Sequence, residues 1–460
     1  MRSLIASTVM VLSLPAVAGE FKLPAYERYT LPNGLTVFLM EKHDVPLLSV
    51  RAVIKAGAVD DADRSGLAHL TQEGILLGSR QYPKQKLNEA FDFRGATLSG
   101  VSGFEQTMIA ADMGRDDSAA LLPLLADIVQ KPTFALADFS KLRALTVDEL
   151  KQQREQPDAV VKSYFNRMAF GSGAYGNPVE GTVASVSKLQ RQDLAGFHQR
   201  YYRPESSALV VVGDFKADSM KSTLNSLFGG WRGVGTQPSR AELGQVQADR
   251  ARVWLVNKSD SVQTTFMFGG AGVPYNHPDF VPLQVINTVL GGRFTSWLND
   301  ELRVSSGLTY GAGSNFSSNA KAGVFKVSSF TESAKTADAL ALAFKTYQRL
   351  WQPGIDATTL ESAKAYIKGQ FPPRYETGSQ LASFLAEMFV YDIGAERINN
   401  FNRDVDSLTP ERVQSLIKQH FAKDKLQMVL IGKASEIRKV AEQYGEVTDL
   451  EIKADGFGPK

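Results

Sequence analysis

An internal duplication constrains the fold of this 460-residue chain more than any other feature. Residues 186–215 align with residues 405–434 at a constant offset of 219 positions (405 − 186). Each copy has the pattern of an amphipathic helix, a turn, an apolar strand and a glycine. A repeat of this length predicts a duplicated domain rather than a solenoid unit, and chance similarity between two helix–strand units is the alternative. The matching positions are Leu189 with Leu408, Leu194 with Val413, Phe197 with Leu416, Tyr202 with Phe421, Val210–Val212 with Val429–Ile431, and Gly213 with Gly432.

Composition predicts the boundary between the two halves. Residues 229–245 are rich in Gly and polar residues, contain Pro238 and lack sustained periodicity, which is typical of a linker. We therefore predict an N-terminal domain over residues 21–232, a linker over 233–246 and a C-terminal domain over 247–456. Strand-like and helical segments occur in mixed order within each half, so we expect α+β layers rather than a wound parallel sheet. The patterns predict strands over residues 35–42, 47–57, 106–113 and 323–331 and helices over residues 119–130, 139–156 and 335–351.

The first 18 residues have the pattern of a signal peptide rather than of a folded element. Arg2 precedes an apolar core from Leu4 to Leu14, and Ala16-Val17-Ala18 forms a cleavage site of the A-x-A type. The apolar run is too short to span a bilayer, which needs about 20 residues. A buried N-terminal helix is the alternative.

Charge and cysteine content exclude several classes of function. The net charge is +2 with both signs spread along the chain, so no basic block indicates a nucleic-acid or lipid surface. The absence of cysteine excludes thiol catalysis and any metal site built on thiolates. An exported chain without cysteine needs no disulfide chemistry, and we predict a periplasmic location with no membrane span in the mature chain. Secretion past the outer membrane is the alternative.

The stretch GLAHLTQEG, residues 66–74, nearly matches the inverted zinc-peptidase motif H-x-x-E-H. His69 keeps one ligand position, but Gln72 stands where the general base belongs and Glu73 where the second His belongs. An amide has no usable basicity near neutral pH, and general-base assistance contributes about 10²–10⁴-fold in rate. Glu73 is a smaller loss, because carboxylates also bind zinc. The alternatives are that His69 is a partly buried, hydrogen-bonded helix residue or that an oxygen-rich metal site survives.

Residues 56–84 around this motif resemble the insulinase, pitrilysin and mitochondrial processing peptidase family of zinc metallopeptidases. Residues 175–215 and 290–314 also look like signatures of this family, and the resemblance covers essentially the whole mature chain. It implies two duplicated α+β domains, each a mostly antiparallel sheet flanked by helices, which form one half of a clam-shell chamber that encloses peptides. It also implies that Glu149 corresponds to the third zinc ligand. The family's substrate-pairing edge strand corresponds to a segment in which Gly100 loosens the strand, so peptide addition there is in doubt.

The resemblance also implies a role for the C-terminal half. Active assemblies of the family carry an Arg and a Tyr seven residues apart in the half without zinc, and Arg303 and Tyr310 match this pair. Arg and Tyr donors directed at a substrate carbonyl would bind the peptide and stabilise an oxyanion. The structural alternative is that Arg303 caps a helix end through a carboxylate such as Glu301, and that Tyr310 fills a strand face.

Loss of the zinc machinery with retention of this pair predicts the non-catalytic subunit of a heterodimeric metalloendopeptidase. We expect no metal in this chain, since His69, Gln72, Glu73 and Glu149 are degenerate remnants, and zinc in a homologous catalytic partner. Arg303 and Tyr310 would act in trans on a peptide substrate. Two alternatives remain: an autonomous metallopeptidase with a divergent His/Glu/Glu site, and a non-enzymatic scaffold subunit.

Overall fold

The computed structural model describes residues 21–236, 243 and 248–459. The predicted signal peptide and most of the predicted linker lie outside the described residues, so both stay predictions. The described chain contains two six-stranded sheets, each flanked by helices, which confirms the predicted α+β class. No helix in this part of the chain combines the length and apolarity that a bilayer crossing requires.

The first sheet is built from the N-terminal half and has the strand order β1-β2-β6-β3-β5-β4. All neighbouring strands are antiparallel except β2 and β6, which are parallel. The strands are β1 Glu27–Thr30, β2 Thr36–Glu41, β3 Leu47–Ile54, β4 Thr97–Ser102, β5 Thr107–Gly114 and β6 Ser207–Gly213. The helices of this half are α1 Leu67–Ile75, α2 Lys84–Asp92, α3 Ser118–Gln130, α4 Leu136–Arg154, α5 Pro157–Phe170, α6 Val183–Lys188, α7 Arg191–Tyr201 and α8 Ala217–Phe228.

The second sheet repeats this arrangement, with the strand order β12-β7-β11-β8-β10-β9. Its outermost strand β12 is parallel to β7, whereas β1 is antiparallel to β2. The strands are β7 Arg252–Asn257, β8 Gln263–Gly272, β9 Ala312–Ser318, β10 Gly323–Glu332, β11 Gln427–Gly432 and β12 Glu446–Glu451. The helices are α9 Phe280–Leu290, α10 Trp297–Asn299, α11 Thr336–Gln348, α12 Ala357–Gln370, α13 Gly378–Tyr391, α14 Glu396–Asn399, α15 Phe401–Asp406, α16 Pro410–His420 and α17 Ala434–Ala441.

The structure confirms the duplication read from the sequence. Helices α7 and α16 have the same length and begin and end at positions 219 residues apart (410 − 191 and 420 − 201). Strands β6 and β11, which follow them, end at the matched glycines Gly213 and Gly432 and occupy the same place in their sheets. The predicted strands and helices are all present. The largest boundary errors are three residues: β3 ends at Ile54 rather than at residue 57, α4 begins at Leu136 rather than at residue 139, and α11 ends at Gln348 rather than at residue 351.

Both faces of each central strand are buried, because each sheet is covered by helices from both halves. Helix α13 of the C-terminal half packs on β3 and β6, and α5 of the N-terminal half packs on β8 and β11. Successive side chains of a strand point to opposite faces. Accordingly, Phe38 and Met40 join the core that contains α13, whereas Val37 and Leu39 join the core of the N-terminal half. The two halves therefore share hydrophobic cores.

Candidate functional site

Helix α1, which carries the degenerate motif, is preceded by a glycine, and its first turn is capped by a carboxylate that lies five residues before that glycine. Gly66 has a φ of +95°, a left-handed conformation that favours glycine. The backbone N–H groups of Gly66 and Ala68 donate to the buried Asp61 carboxylate at 2.8 and 2.7 Å. These bonds satisfy donors that the first helical turn leaves open, and so fix where the helix begins. Burial raises the pKa of Asp61 to about 8, against the opposing effect of these hydrogen bonds.

Gln72, in the position of the missing base, is buried against the edge strand β4. Its side chain is only 1% exposed, and its Nε2 has no hydrogen-bond partner among the described residues. A Cβ atom at Gly100 would lie 2.2 Å from this nitrogen, so the absence of a side chain at Gly100 creates the space that Gln72 fills. Strand β4 pairs with β5 in continuous register from Thr97 to Ser102, so Gly100 does not interrupt the pairing. A buried amide in this position cannot activate water.

The remaining motif residues do not assemble a metal site. His69 and Glu73 are half-buried on α1, and Glu149 is exposed on α4. Within the described part of the chain, one group of three His, Asp or Glu side chains brings its ligand atoms within 4.8 Å of one another, and it contains none of these residues. One alternative for His69 was a partly buried helix residue with a hydrogen bond. His69 is half-buried, but its side chain makes no hydrogen bond among the described residues. The residues present therefore do not fit a zinc ion at this motif.

Arg303 and Tyr310 lie in the segment between α10 and the edge strand β9, and both are exposed. Arg303 occupies a π-helical turn, Asp300–Ser305, and its guanidinium carbon lies 4.8 Å from the ring centroid of Phe294. The side chain of Tyr310 is 82% exposed. π-Helical turns are rare and frequently occur at functional sites. Both side chains are therefore accessible to a molecule that approaches this edge of the C-terminal half.

The structure contradicts the purely structural reading of this pair. Glu301 accepts from Arg349 at 3.0 Å, and Arg349 also lies over the ring of Trp297, so Glu301 is engaged by a residue other than Arg303. Tyr310 precedes β9 and is exposed, so it fills no strand face.

Buried polar residues, which the sequence analysis missed, hold the loop that presents Tyr310. Ser329 Oγ donates to the carbonyl of Gly311 at 2.9 Å, and Thr331 Oγ1 donates to the carbonyl of Leu308 at 2.7 Å. Thr309, adjacent to Tyr310, donates to the same Gly311 carbonyl at 3.1 Å. The sequence carried a weak signal, because Ser329 and Thr331 alternate in β10 with the same period as the buried Val327 and so fall on its buried face. These bonds hold the backbone on both sides of Tyr310 against β10.

Comparisons with known proteins agree with this fold. The family model described as Insulinase (Peptidase family M16) matches residues 36–183, and the model described as Peptidase M16 inactive domain matches residues 188–367. An uncharacterized zinc protease of Mycobacterium leprae is 26% identical over 395 residues, which cover 85% of this chain and 88% of the relative.

Solved structures show the same architecture. A peptidase M16 inactive domain from Pseudomonas fluorescens has a TM-score of 0.83 at 21% identity and covers 89% of this chain and 98% of its own. A chain of complex III2 from Candida albicans has a TM-score of 0.75 at 16% identity, with coverages of 92% and 100%. These two structures share the fold, and the matches to the two M16 models show that the chain belongs to the M16, or insulinase, family of peptidases. Within that family, its motif departs from H-x-x-E-H at the base and at the second histidine.

Proposed function

We propose that this chain is the non-catalytic subunit of a heterodimeric zinc metalloendopeptidase that degrades peptides. Its partner would be a homologous chain with a complete H-x-x-E-H motif, which holds the zinc. This chain would contribute half of the chamber wall, with Arg303 and Tyr310 as donors that bind the substrate and stabilise the transition state in the partner's active site. In this proposal both subunits act in the periplasm, which for this chain is supported by its predicted signal peptide.

One contrast carries the proposal. Gln72 is inaccessible behind β4 and cannot act as a base, whereas Arg303 is exposed on a π-helical turn and Tyr310 is exposed on a loop held by buried hydrogen bonds. Exposed donors on a fixed backbone are suited to a ligand outside this chain, because preorganised donors need little reorganisation during reaction. The autonomous metallopeptidase is disfavoured because the described residues assemble no group of three ligands that includes His69.

Reconstitution tests the proposal. The mature chain is purified alone, then mixed with a homologous exported chain that carries an intact motif, and hydrolysis of a peptide library is measured. We expect activity only in the mixture, with a complex detected by size-exclusion chromatography. Full activity of the zinc-bearing chain alone, or chelator-sensitive activity of this chain alone, would overturn the proposal.

A scaffold role is the second candidate, favoured by the fold shared with the complex III2 chain from Candida albicans. It differs from the first in what it requires of Arg303 and Tyr310. A scaffold has no use for these donors, so the double variant Arg303→Ala/Tyr310→Phe would assemble and function normally in cells. In the enzymatic role, the same variant would assemble but lose peptide hydrolysis.

A further inference from the structure

We infer that His277, Asp279 and His420 form a binding site for a divalent transition-metal ion of the zinc class. His277 and Asp279 lie just before α9, and His420 is the last residue of α16. Their side chains are 26%, 14% and 9% exposed. They are the one group among the described residues in which three His, Asp or Glu ligand atoms all lie within 4.8 Å of one another. The site is separate from the degenerate motif on α1.

The distances suit a tetrahedral ion. Asp279 Oδ2 lies 3.0 Å from His420 Nε2 and 3.9 Å from His277 Nδ1. Zinc bonds to N and O of about 2.0–2.2 Å place tetrahedral ligand atoms about 3.3–3.6 Å apart, between the two observed separations. Side-chain adjustments of less than about 1 Å would therefore close the site around an ion. Three protein ligands leave a fourth position for water.

The surroundings support coordination by these atoms. The other carboxylate oxygen of Asp279, Oδ1, accepts from Arg412 Nη2 at 2.7 Å, which orients the carboxylate with Oδ2 toward the histidines. Hydrogen bonds of this kind to a ligating carboxylate are typical of metal sites. The Asp279 N–H donates to His277 Nδ1 at 3.1 Å, and metal binding would replace this bond. A donor set of two imidazoles and one carboxylate favours zinc, cobalt and nickel over magnesium and calcium, which bind mainly to oxygen ligands.

A bound ion would tie together segments that are distant in the chain. Asp279 and His420 are 141 positions apart and join the start of α9 to the end of α16. An ion that binds only the folded chain stabilises it in proportion to the logarithm of its concentration over its dissociation constant. The inference is independent of the proposed peptidase role.

Cobalt(II) and zinc titrations test the site. The mature chain, freed of any affinity tag and of metal, is titrated with cobalt(II) while visible absorption is recorded, and with zinc while the melting temperature is recorded. We expect one cobalt(II) per chain and a zinc-dependent rise in melting temperature. Because each removes a direct ligand, His277→Gln and His420→Gln are expected to weaken affinity by roughly tenfold or more.

Two controls separate this site from other histidines. His43→Gln removes an exposed histidine elsewhere, and His69→Gln/Glu73→Gln removes the motif remnants; both are expected to bind like the unaltered chain. His277 is the most exposed ligand, so its variant carries the test if His420→Gln does not fold. Absence of binding by the unaltered chain, unchanged binding in His277→Gln, or loss of binding in the His69/Glu73 variant would overturn the inference.

Discussion

The side chain of Gln72 is both chemically unsuited to catalysis and structurally enclosed. Its amide lacks basicity, and its Nε2 is buried without a hydrogen-bond partner in the described part of the chain. A buried unsatisfied donor costs about 1–3 kcal/mol. Arg303 and Tyr310 have the opposite character, since both reach solvent. We therefore expect substitutions of Gln72 to change the stability of the chain, and substitutions of Arg303 or Tyr310 to change the activity of the complex.

Gln72→Glu is expected to destabilise the chain without creating a peptidase. A carboxylate in this position would be buried without a partner, which we expect to lower the free energy of unfolding at pH 7 by about 1–3 kcal/mol or more. Gln72→Met is the matched control, since it keeps the length and removes the unpaired donor, and it should be neutral or stabilising. Urea denaturation and a partner-free peptide assay measure both effects. A stable, active Gln72→Glu chain would contradict this account.

Arg303→Ala and Tyr310→Phe are expected to reduce activity of the reconstituted complex without changing stability. Loss of one preorganised oxyanion donor typically lowers kcat by about 10²–10³-fold. Both residues are exposed, so the free energy of unfolding from urea denaturation should stay within about 0.5 kcal/mol of that of the unaltered chain. Arg80→Ala and Tyr366→Phe are controls that remove an exposed Arg and a partly exposed Tyr elsewhere. If either test variant keeps full kcat, its residue is not a donor to the reaction.

At the scale of elements, the edge strands β4 and β9, which occupy the same position in their two sheets, have different environments. β4 lies beside α1 with Gly100 against Gln72, whereas β9 follows the loop that carries Tyr310. Asn287 on α9 accepts from Ser314 of β9 at 2.7 Å, so this edge gains a buried side-chain hydrogen bond to its helix. In the N-terminal half, α1 and β4 are in contact where the side chain of Gln72 packs against Gly100.

Gly100→Ala is expected to destabilise the N-terminal half by about 1–3 kcal/mol, because the added methyl overlaps Gln72 in a filled space. The double variant Gly100→Ala/Gln72→Ala removes the overlap. We therefore expect its destabilisation to be smaller than the sum of the two single changes. A double-mutant cycle of urea denaturation measures this coupling. Strict additivity would show that the two residues do not touch in the folded protein.

Lys326→Met is expected to stabilise the chain at neutral pH. Lys326 lies in the middle of β10 at 5% exposure, with no ion pair among the described residues, and burial lowers its pKa to about 8. Its pKa in the unfolded chain is near 10.5, so the unfolded chain binds the proton more tightly. This difference costs on the order of 3 kcal/mol at pH 7.

The stabilisation should shrink as pH rises from 8 to 10.5, because over that range the unfolded chain loses its proton as well. Guanidinium denaturation of both proteins at several pH values measures the trend. Lys345→Met, at an exposed position of α11, is the control and should show little pH-dependent difference. A constant difference across this range would indicate that Lys326 titrates normally.

At the scale of the whole molecule, the two halves complete one another. Each sheet buries one face under helices of its own half and the other under α13 or α5 from the opposite half. Arg154 at the end of α4 adds hydrogen bonds to the carbonyls of Ile452, Ala454 and Gly456 in the C-terminal segment. Folding of one half therefore depends on the other.

Residues 21–232 expressed alone are expected to aggregate or to bind a hydrophobic dye. Without α13, apolar side chains such as Phe38, Met40 and Val212 would be exposed on the open face of the sheet. Co-expression with residues 247–456 should restore a soluble complex, and the intact chain should unfold in one calorimetric transition. Two separate transitions, or a monomeric N-terminal half with native-like stability, would contradict this dependence.

The sequence by itself determined the repeated architecture and the chemistry lost at position 72. Apolar periodicity is local, so the matched segments around Val210 and Val429 predicted corresponding helices and strands correctly. The replacement of a base by an amide is a property of the residue alone and needs no structure. The family resemblance identified Arg303 and Tyr310 as candidate substrate-binding residues. It did not identify the hydrogen bonds that hold the loop around Tyr310.

Only the tertiary structure decided which distant residues meet. The contact of Gln72 with Gly100 and the approach of His420 to Asp279 join residues 28 (100 − 72) and 141 positions apart, and the packing of α13 on β3 joins segments that are still farther apart in the chain. No local pattern encodes such pairs, because they depend on how the sheets and helices pack. The same packing left Glu149 exposed and His69 half-buried, and the one group of three ligand atoms within 4.8 Å of one another in the described part of the chain contains neither residue.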